Sequence, residues 1–209
     1  MTDGPAHWNG VYAARGETEL TWYEEQPVLS YELAAKYAKP GEAVIDIGGG
    51  AARLVDRLVA GGHGPVTVLD ISEAALRISR DRLGESGAGV TWVAADVRTW
   101  VPPRRYALWH DRAVFHFLTE ARDRAAYVAA MDRALAPGGA AIIATFDADG
   151  PETCSGLPVA RYAPEDLARA LEDLAPGRFR PLESRRHVHE TPKGRHQAFQ
   201  VSVFTKDKD

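Results

Sequence analysis

The stretch VIDIGGGAARLVDRL, residues 44–58, constrains the fold more tightly than any other. AVIDIG (43–48) is a short apolar run bounded by glycines, the pattern of a buried strand. Beyond Gly48-Gly49-Gly50, Leu54 and Leu58 stand four apart, as do Val55 and Val59, and Gly61-Gly62 closes the helix this spacing predicts. The same alternation then repeats. PVTVLDIS (65–72) is a second strand, with Ser72 able to cap the helix that follows and Glu73 suited to its positive end. VTWVAAD (90–96), YALWHD (106–111) and AAIIATF (140–146) are three more strands, and residues 120–135 form a helix closed by Pro137-Gly138-Gly139. Strand and helix at this rhythm make right-handed βαβ units, hence a parallel sheet covered on both faces.

The end of the chain departs from that rhythm. PEDLARALEDL, from Pro164, is a helix with Leu167, Leu171 and Leu174 on one face. PLESRRHVHET and QAFQVSVFTK then follow as two strands joined only by a turn at Pro192-Lys193-Gly194, so they pair antiparallel. The expected fold is an α/β, doubly wound, seven-stranded sheet, mostly parallel with an antiparallel last strand. Residues 1–25 read as irregular and aromatic-rich (Trp8, Tyr12, Trp22, Tyr23), and 27–37 as a helix stopped by Pro40-Gly41.

At 209 residues the chain suits one domain. Its expected parts are an N-terminal lid and helix (1–40), a ligand-binding core (41–146), and a loop, helix and hairpin on the substrate side (147–209). A net charge of −4 gives no electrostatic case for nucleic acid or an anionic membrane. No apolar run is long enough to span a bilayer, the first residues lack a signal-peptide layout, and a lone cysteine, Cys154, suits the cytosol. The expected location is cytoplasmic.

In such sheets a ligand sits beyond the carboxyl ends of the strands, where the strand order reverses. Gly48–Gly50 fall there. A dinucleotide would need GxGxxG; counted from Gly48 the third glycine position is Arg53, and counted from Gly49 the second is Ala51, so both registers fail. Asp46, at the strand's end, would also repel a pyrophosphate and suits a cationic ligand instead.

Asp46-Ile47-Gly48-Gly49-Gly50-Ala51-Ala52 resembles the D/E-x-G-x-G-x-G loop of the class I S-adenosylmethionine-dependent methyltransferases, with Ala52 in place of the last glycine. Asp70 ends the second strand 24 residues after Asp46, where an acid can accept hydrogen bonds from both ribose hydroxyls. Asp96 ends the third strand, and LAPGG precedes the fifth, as is common in that family. The resemblance covers residues 43–146 in order and implies a Rossmann-like fold. It also implies S-adenosylmethionine as cofactor, with S-adenosylhomocysteine as product. The cofactor contacts it implies are Asp46, Gly48, Gly49, Gly50, Asp70 with Ile71, Asp96 with Val97, Asp111 and Trp22.

For the methyl acceptor, WHDRAVFHFLTE after the fourth strand resembles the segment that the family places near the methyl group. Asp111 is expected to orient the acceptor and His116 to act as base; the structural alternatives are an Asp111–Arg112 ion pair and a satisfied buried histidine. GETELTWYEEQP resembles the lid of small thiopurine-type and thiol-type methyltransferases, which makes Trp22 and Tyr23 either site aromatics or a hydrophobic plug. Tyr23, Arg112, Phe115 and Cys154 are the candidate substrate contacts, Cys154 being otherwise a small buried hydrophobe. His187 and His189 share a strand face, but no third ligand is evident, so no metal is expected. The function expected is methyl transfer to a small-molecule sulfur, nitrogen or oxygen nucleophile. A protein lysine methyltransferase is the alternative, DRAV standing where some compact members have DKGT. A cofactor-binding module without chemistry comes next, and a nicotinamide oxidoreductase ranks lowest. Acceptor identity and oligomeric state are not legible.

Overall fold

A computed structural model describes residues 4–208. The chain begins with α1 (Pro5–Ala14), a 3-10 turn at Glu17–Glu19 and α2 (Val28–Tyr37). The alternating core follows: β1 (Val44–Ile47), α3 (Leu54–Ala60), β2 (Val66–Asp70), α4 (Glu73–Leu83), β3 (Thr91–Ala94), β4 (Tyr106–Arg112), α5 (Ala121–Ala134) and β5 (Leu135–Phe146). A small hairpin of β6 (Thr153–Cys154) and β7 (Leu157–Pro158) leads to α6 (Pro164–Leu174), β8 (Phe179–Glu190) and β9 (His196–Lys206).

Seven strands form one sheet in the order β3-β2-β1-β4-β5-β9-β8. β1 to β5 pair parallel, and β9 runs antiparallel to both its neighbours. The last strand in sequence is thus the single reversed one, inserted between β5 and β8. Successive strand residues face opposite sides, so Ile45 and Ile47 pack towards Tyr127, Met131 and Leu167 of α5 and α6. Val44, Val68 and Ile142 pack the other way, towards Leu33, Leu54 and Leu58 of α2 and α3. Each such large apolar side chain contributes roughly 1.5–3 kcal/mol on burial. Trp109 is fully buried and satisfies its indole by donating to Tyr127 Oη at 2.9 Å.

Two expectations change. The described part of the N-terminal segment is not irregular throughout: Pro5 starts a helix, Pro5–Ala14, at its first position, where the missing N–H is harmless. α1 has no buried residue and no apolar stripe, so its sequence carries no helix signal. Tertiary contacts hold it instead. Trp8 meets Phe117 edge-on at 5.2 Å, and Asn9 Oδ1 accepts from Ser72 Oγ at 2.7 Å. Secondly, the backbone after α5 is already extended at Leu135, so Pro137-Gly138-Gly139 lies inside β5. The pairing register with β4 shifts between Tyr106 and Leu108 to take up those residues.

Candidate active site

The strand order reverses between β1 and β4. Beyond their carboxyl ends lies a cavity of about 950 Å³, its open mouth included. Gly48 contributes from the end of β1, Asp70 and Ile71 from β2, Asp96 and Val97 from β3, and Arg112 to Val114 from β4. The far end is aromatic, with Trp8, Trp22, Phe117, Phe146 and Phe199, together with Cys154 and Gln197. A second cavity of about 590 Å³ adjoins it and contains Asp46, Gly49, Ser30, His110 and Arg53. Tyr12, Trp22, Ile47, Gly48 and Arg112 wall both.

The glycine loop is built for close approach. Gly48 and Gly50 have φ of 65° and 38°, in the left-handed region that favours glycine. A Cβ on Gly50 would stand 2.8 Å from Asp70 Oδ2 and 2.9 Å from Tyr12 Oη; one on Gly49 would stand 2.5 Å from Asp46 Oδ2. The loop therefore packs directly against both acids. Gly48 faces both cavities and Gly49 the second. Gly50 lines neither; it underlies Asp70, and its carbonyl accepts from Ser79 Oγ.

Asp70 is buried at the cavity wall, and its Oδ1 accepts from the Ser72 amide at 2.7 Å. Burial, and then the charge of Asp46, push its carboxyl up to about 7. A desolvated carboxylate of that kind gains from any donor pair that reaches it. Asp96 is different. Arg98 grips both its oxygens, Nη2 to Oδ2 at 2.5 Å, and Asp123 holds Arg98 in turn at 2.7 Å. Burial opposes ionisation of Asp96, but the Arg98 contacts outweigh it and lower its pKa.

Several expected roles do not match the geometry. Asp111 lines neither cavity and is fully buried. Its oxygens accept from the Val114 amide at 2.7 Å, the Phe115 amide at 3.0 Å and Tyr127 Oη at 2.5 Å. Burial raises its carboxyl to about 6 against those bonds. The carboxylate closes the turn after β4 and holds Ala113, a cavity residue, at φ 75°. It reaches neither cavity wall, and it forms no ion pair with Arg112. Phe115 sits in the core against Tyr127 and Tyr162 and lines neither cavity, unlike the substrate contact expected of it. His116 also lies outside both cavities. Its Nδ1 accepts from the Phe146 amide at 3.3 Å, its Nε2 has no partner, and burial, with the Arg112 charge, lowers it to about 3.

Other expected residues do reach the cavities: Trp22 and Arg112 line both, Tyr23 the second, and Cys154 the first, its thiol raised by burial to about 11. Arg112 donates to the Trp22 carbonyl and to Glu24 Oε1, both at 2.9 Å. Glu24 also meets His187 Nε2 and His189 Nδ1, each at 3.2 Å, while His189 Nε2 lies 2.8 Å from the Thr21 carbonyl. Burial opposes ionisation of Glu24; the two imidazole bonds and Arg112 outweigh it and hold the carboxyl well below its usual range. His187 and His189 are thus anchors of segment 21–24, and no group of three metal-ligating side chains occurs among the described residues. Sequence reasoning missed this clamp because its partners lie 163 residues apart. It also missed Arg98 on Asp96, for which the two-residue spacing was the available signal, and the pairing of His110 with Asp46.

Residues 44–139 match the family model of a methyltransferase domain. That match, a little under half of the chain, and the similarities that follow support the class I S-adenosylmethionine-dependent methyltransferase superfamily. Over 123 residues it is 34% identical to the ubiquinone/menaquinone biosynthesis C-methyltransferase UbiE of Bordetella parapertussis, covering 56% of this chain and 45% of that protein. The chain thus spans a little under half the length of that curated relative. In fold it is similar to a protein solved in work on conversion of a disulfide bond into a thioacetal group during echinomycin biosynthesis. That match has a TM-score of 0.75 and 21% identity, over 97% of this chain and 93% of the other. It is also similar to the N-methyltransferase NodS from Bradyrhizobium japonicum, with S-adenosylhomocysteine bound (TM-score 0.73, 15% identity, 98% and 99% covered).

Proposed function

We propose that this chain transfers the methyl group of S-adenosylmethionine to a small-molecule acceptor. The carrying observation is one continuous cavity whose walls come from the ends of β1, β2, β3 and β4, at the reversal of strand order, with Asp70 on its side. The residues present fit the cofactor. Asp70 would accept from ribose hydroxyls beside Ile71, and Asp96 and Val97 would flank the adenine. Gly48 and Gly49 admit the amino-acid end towards Asp46, Tyr23 and Arg53, whose Nε is buried without a partner. When bound, the cofactor supplies an electrophilic methyl group on a sulfonium.

The chain's part is then positioning and exclusion of water. Trp8, Trp22, Phe117, Phe146 and Phe199 give the acceptor end flat apolar walls, and Arg112 ties the Trp22 wall to β4. Those walls and the guanidinium favour a small, planar acceptor over a lysine ammonium. Incubation with S-adenosylmethionine and a panel of phenols, amines and thiols, read as S-adenosylhomocysteine formed, tests the reading. Product that depends on both the acceptor and Asp70 supports it; no acceptor-dependent product from a chain that binds the cofactor would leave only a binding module.

A further inference from the structure

Gln197, near the start of β9, carries the one side-chain amide among the described residues that wall the first cavity. β9 runs antiparallel to β5, so its first residues lie at the edge where the parallel strands end. Phe199, two residues on, shares a face with Gln197. Phe146 pairs with Phe199 across the ladder, their ring centroids 4.8 Å apart, and the Arg112 guanidinium stands 5.3 Å from the Phe199 ring centroid. Gln197 therefore sits beside an aromatic floor with a cation over it, at the acceptor end of the cavity. Its neighbours already have partners. His189, opposite it on β8, is turned to Glu24 and the Thr21 carbonyl, and Arg112 is engaged by Glu24 and the Trp22 carbonyl. The half-buried Gln197 amide forms no hydrogen bond with another of the described residues. A molecule that fills this end takes the amide out of water, and the amide then loses its hydrogen bonds unless that molecule supplies them.

We infer that Gln197 selects the acceptor, pairing through both ends of its amide with a flat ring that carries an N–H next to a carbonyl, as in a ring lactam or an aromatic carboxamide. The inference rests on the methyl-transfer reading and names the class of its acceptor. A glutamine amide offers a carbonyl that accepts and an NH2 that donates, side by side, and the edge that answers both is another amide. Glu24 already balances the Arg112 charge, so this end of the cavity calls for a neutral edge rather than an anionic one. Phe146 and Phe199 supply the flat apolar surface against which the rest of the ring lies. A purely apolar ring would leave the amide unmet, and a site built to hydrogen-bond its ligand rejects analogues that lack the matching group.

The test uses the full chain saturated with S-adenosylhomocysteine and measures binding of three probes by isothermal titration. They are 2-quinolone, a flat ring lactam; 1-methyl-2-quinolone, which keeps the ring and carbonyl but lacks the N–H; and quinoline-2-carboxylate, an anion of similar shape. Wild type is expected to bind 2-quinolone at least about tenfold more tightly than either of the others, a difference of about 1.4 kcal/mol. Gln197→Leu is expected to hold S-adenosylhomocysteine within about twofold of wild type and to bind the two quinolones equally. Equal binding of the quinolones by wild type, or a lactam preference that survives in Gln197→Leu, would overturn the inference. A loss in the variant shared by all three probes, or by S-adenosylhomocysteine, would make Gln197 a structural wall and overturn it too. So would tighter binding of the carboxylate, which would give this end to an anion held by Arg112, or binding of no probe at all. The wild-type comparisons decide the matter even where the variant does not fold. Wild-type protein that fails to bind S-adenosylhomocysteine would instead sink the methyl-transfer reading, so the two failures stay distinguishable.

Discussion

At the scale of residues, burial sorts four similar acids into different tasks. Asp70 is desolvated beside Asp46, so the folded chain holds its proton up to about pH 7, whereas the unfolded chain releases it near 3.8. The folded state then binds more protons than the unfolded one between those values, so this group's contribution to stability falls as pH rises through that window. Asp70→Asn is expected to be more stable than wild type at pH 8 by about 1–3 kcal/mol, and to keep only a minor part of that advantage at pH 5. Thermal melts at the two pH values check it. The same variant should bind S-adenosylhomocysteine at least about tenfold more weakly at pH 8, since an amide nitrogen cannot accept the second ribose hydroxyl. Asp111→Asn should behave in the opposite way. It places an N–H against the donors of Phe115 or Tyr127 and is expected to lower stability by about 1–3 kcal/mol, visible as a fall in Tm. The positions of Asp46, Asp70 and Asp96 at strand ends were legible because strands and glycines mark them. Which acid faces a cavity and which faces a turn was not, because a change of χ1 decides it and sequence spacing carries no χ1.

At the scale of elements, the alternating core was legible from its apolar runs and glycine stops: β1 to β4, α3 and α5 fall within a few residues of their expected spans, and α4 starts behind its Ser72 cap. α1 was not, since no apolar stripe marks it and its helix depends on Trp8 and Asn9 finding partners more than 60 residues away. The clamp on segment 21–24 has the same character. Its carboxylate, two imidazoles and guanidinium come from three separate elements, and only the folded sheet brings them together. The clamp holds Trp22 at the wall between the two cavities. Glu24→Ala leaves Arg112, at the cavity wall, and the two histidines behind it without their shared carboxylate. It is expected to free the Trp22 indole, shifting tryptophan emission, and to weaken S-adenosylhomocysteine binding by about 1–2 kcal/mol. Unchanged emission and affinity would make the clamp a surface ornament of β8.

At the scale of the whole molecule, a parallel sheet gathers every strand's carboxyl end at one edge, and its order reversal opens a crevice there that the N-terminal residues cover. The inserted β9 and the added β8 extend the sheet beyond β5, and their ends supply Phe199, Gln197 and the histidine anchors. On the proposed reading, one crevice would receive the nucleoside against β1–β3 and the acceptor against β4, β5 and β9. Isothermal titration of the full chain with S-adenosylhomocysteine, with NADH as the control, tests this division of the cavity most directly. The account predicts saturable one-to-one binding of S-adenosylhomocysteine, weakened by Asp70→Asn, and no heat from NADH. Binding of NADH, or of neither ligand, would contradict it.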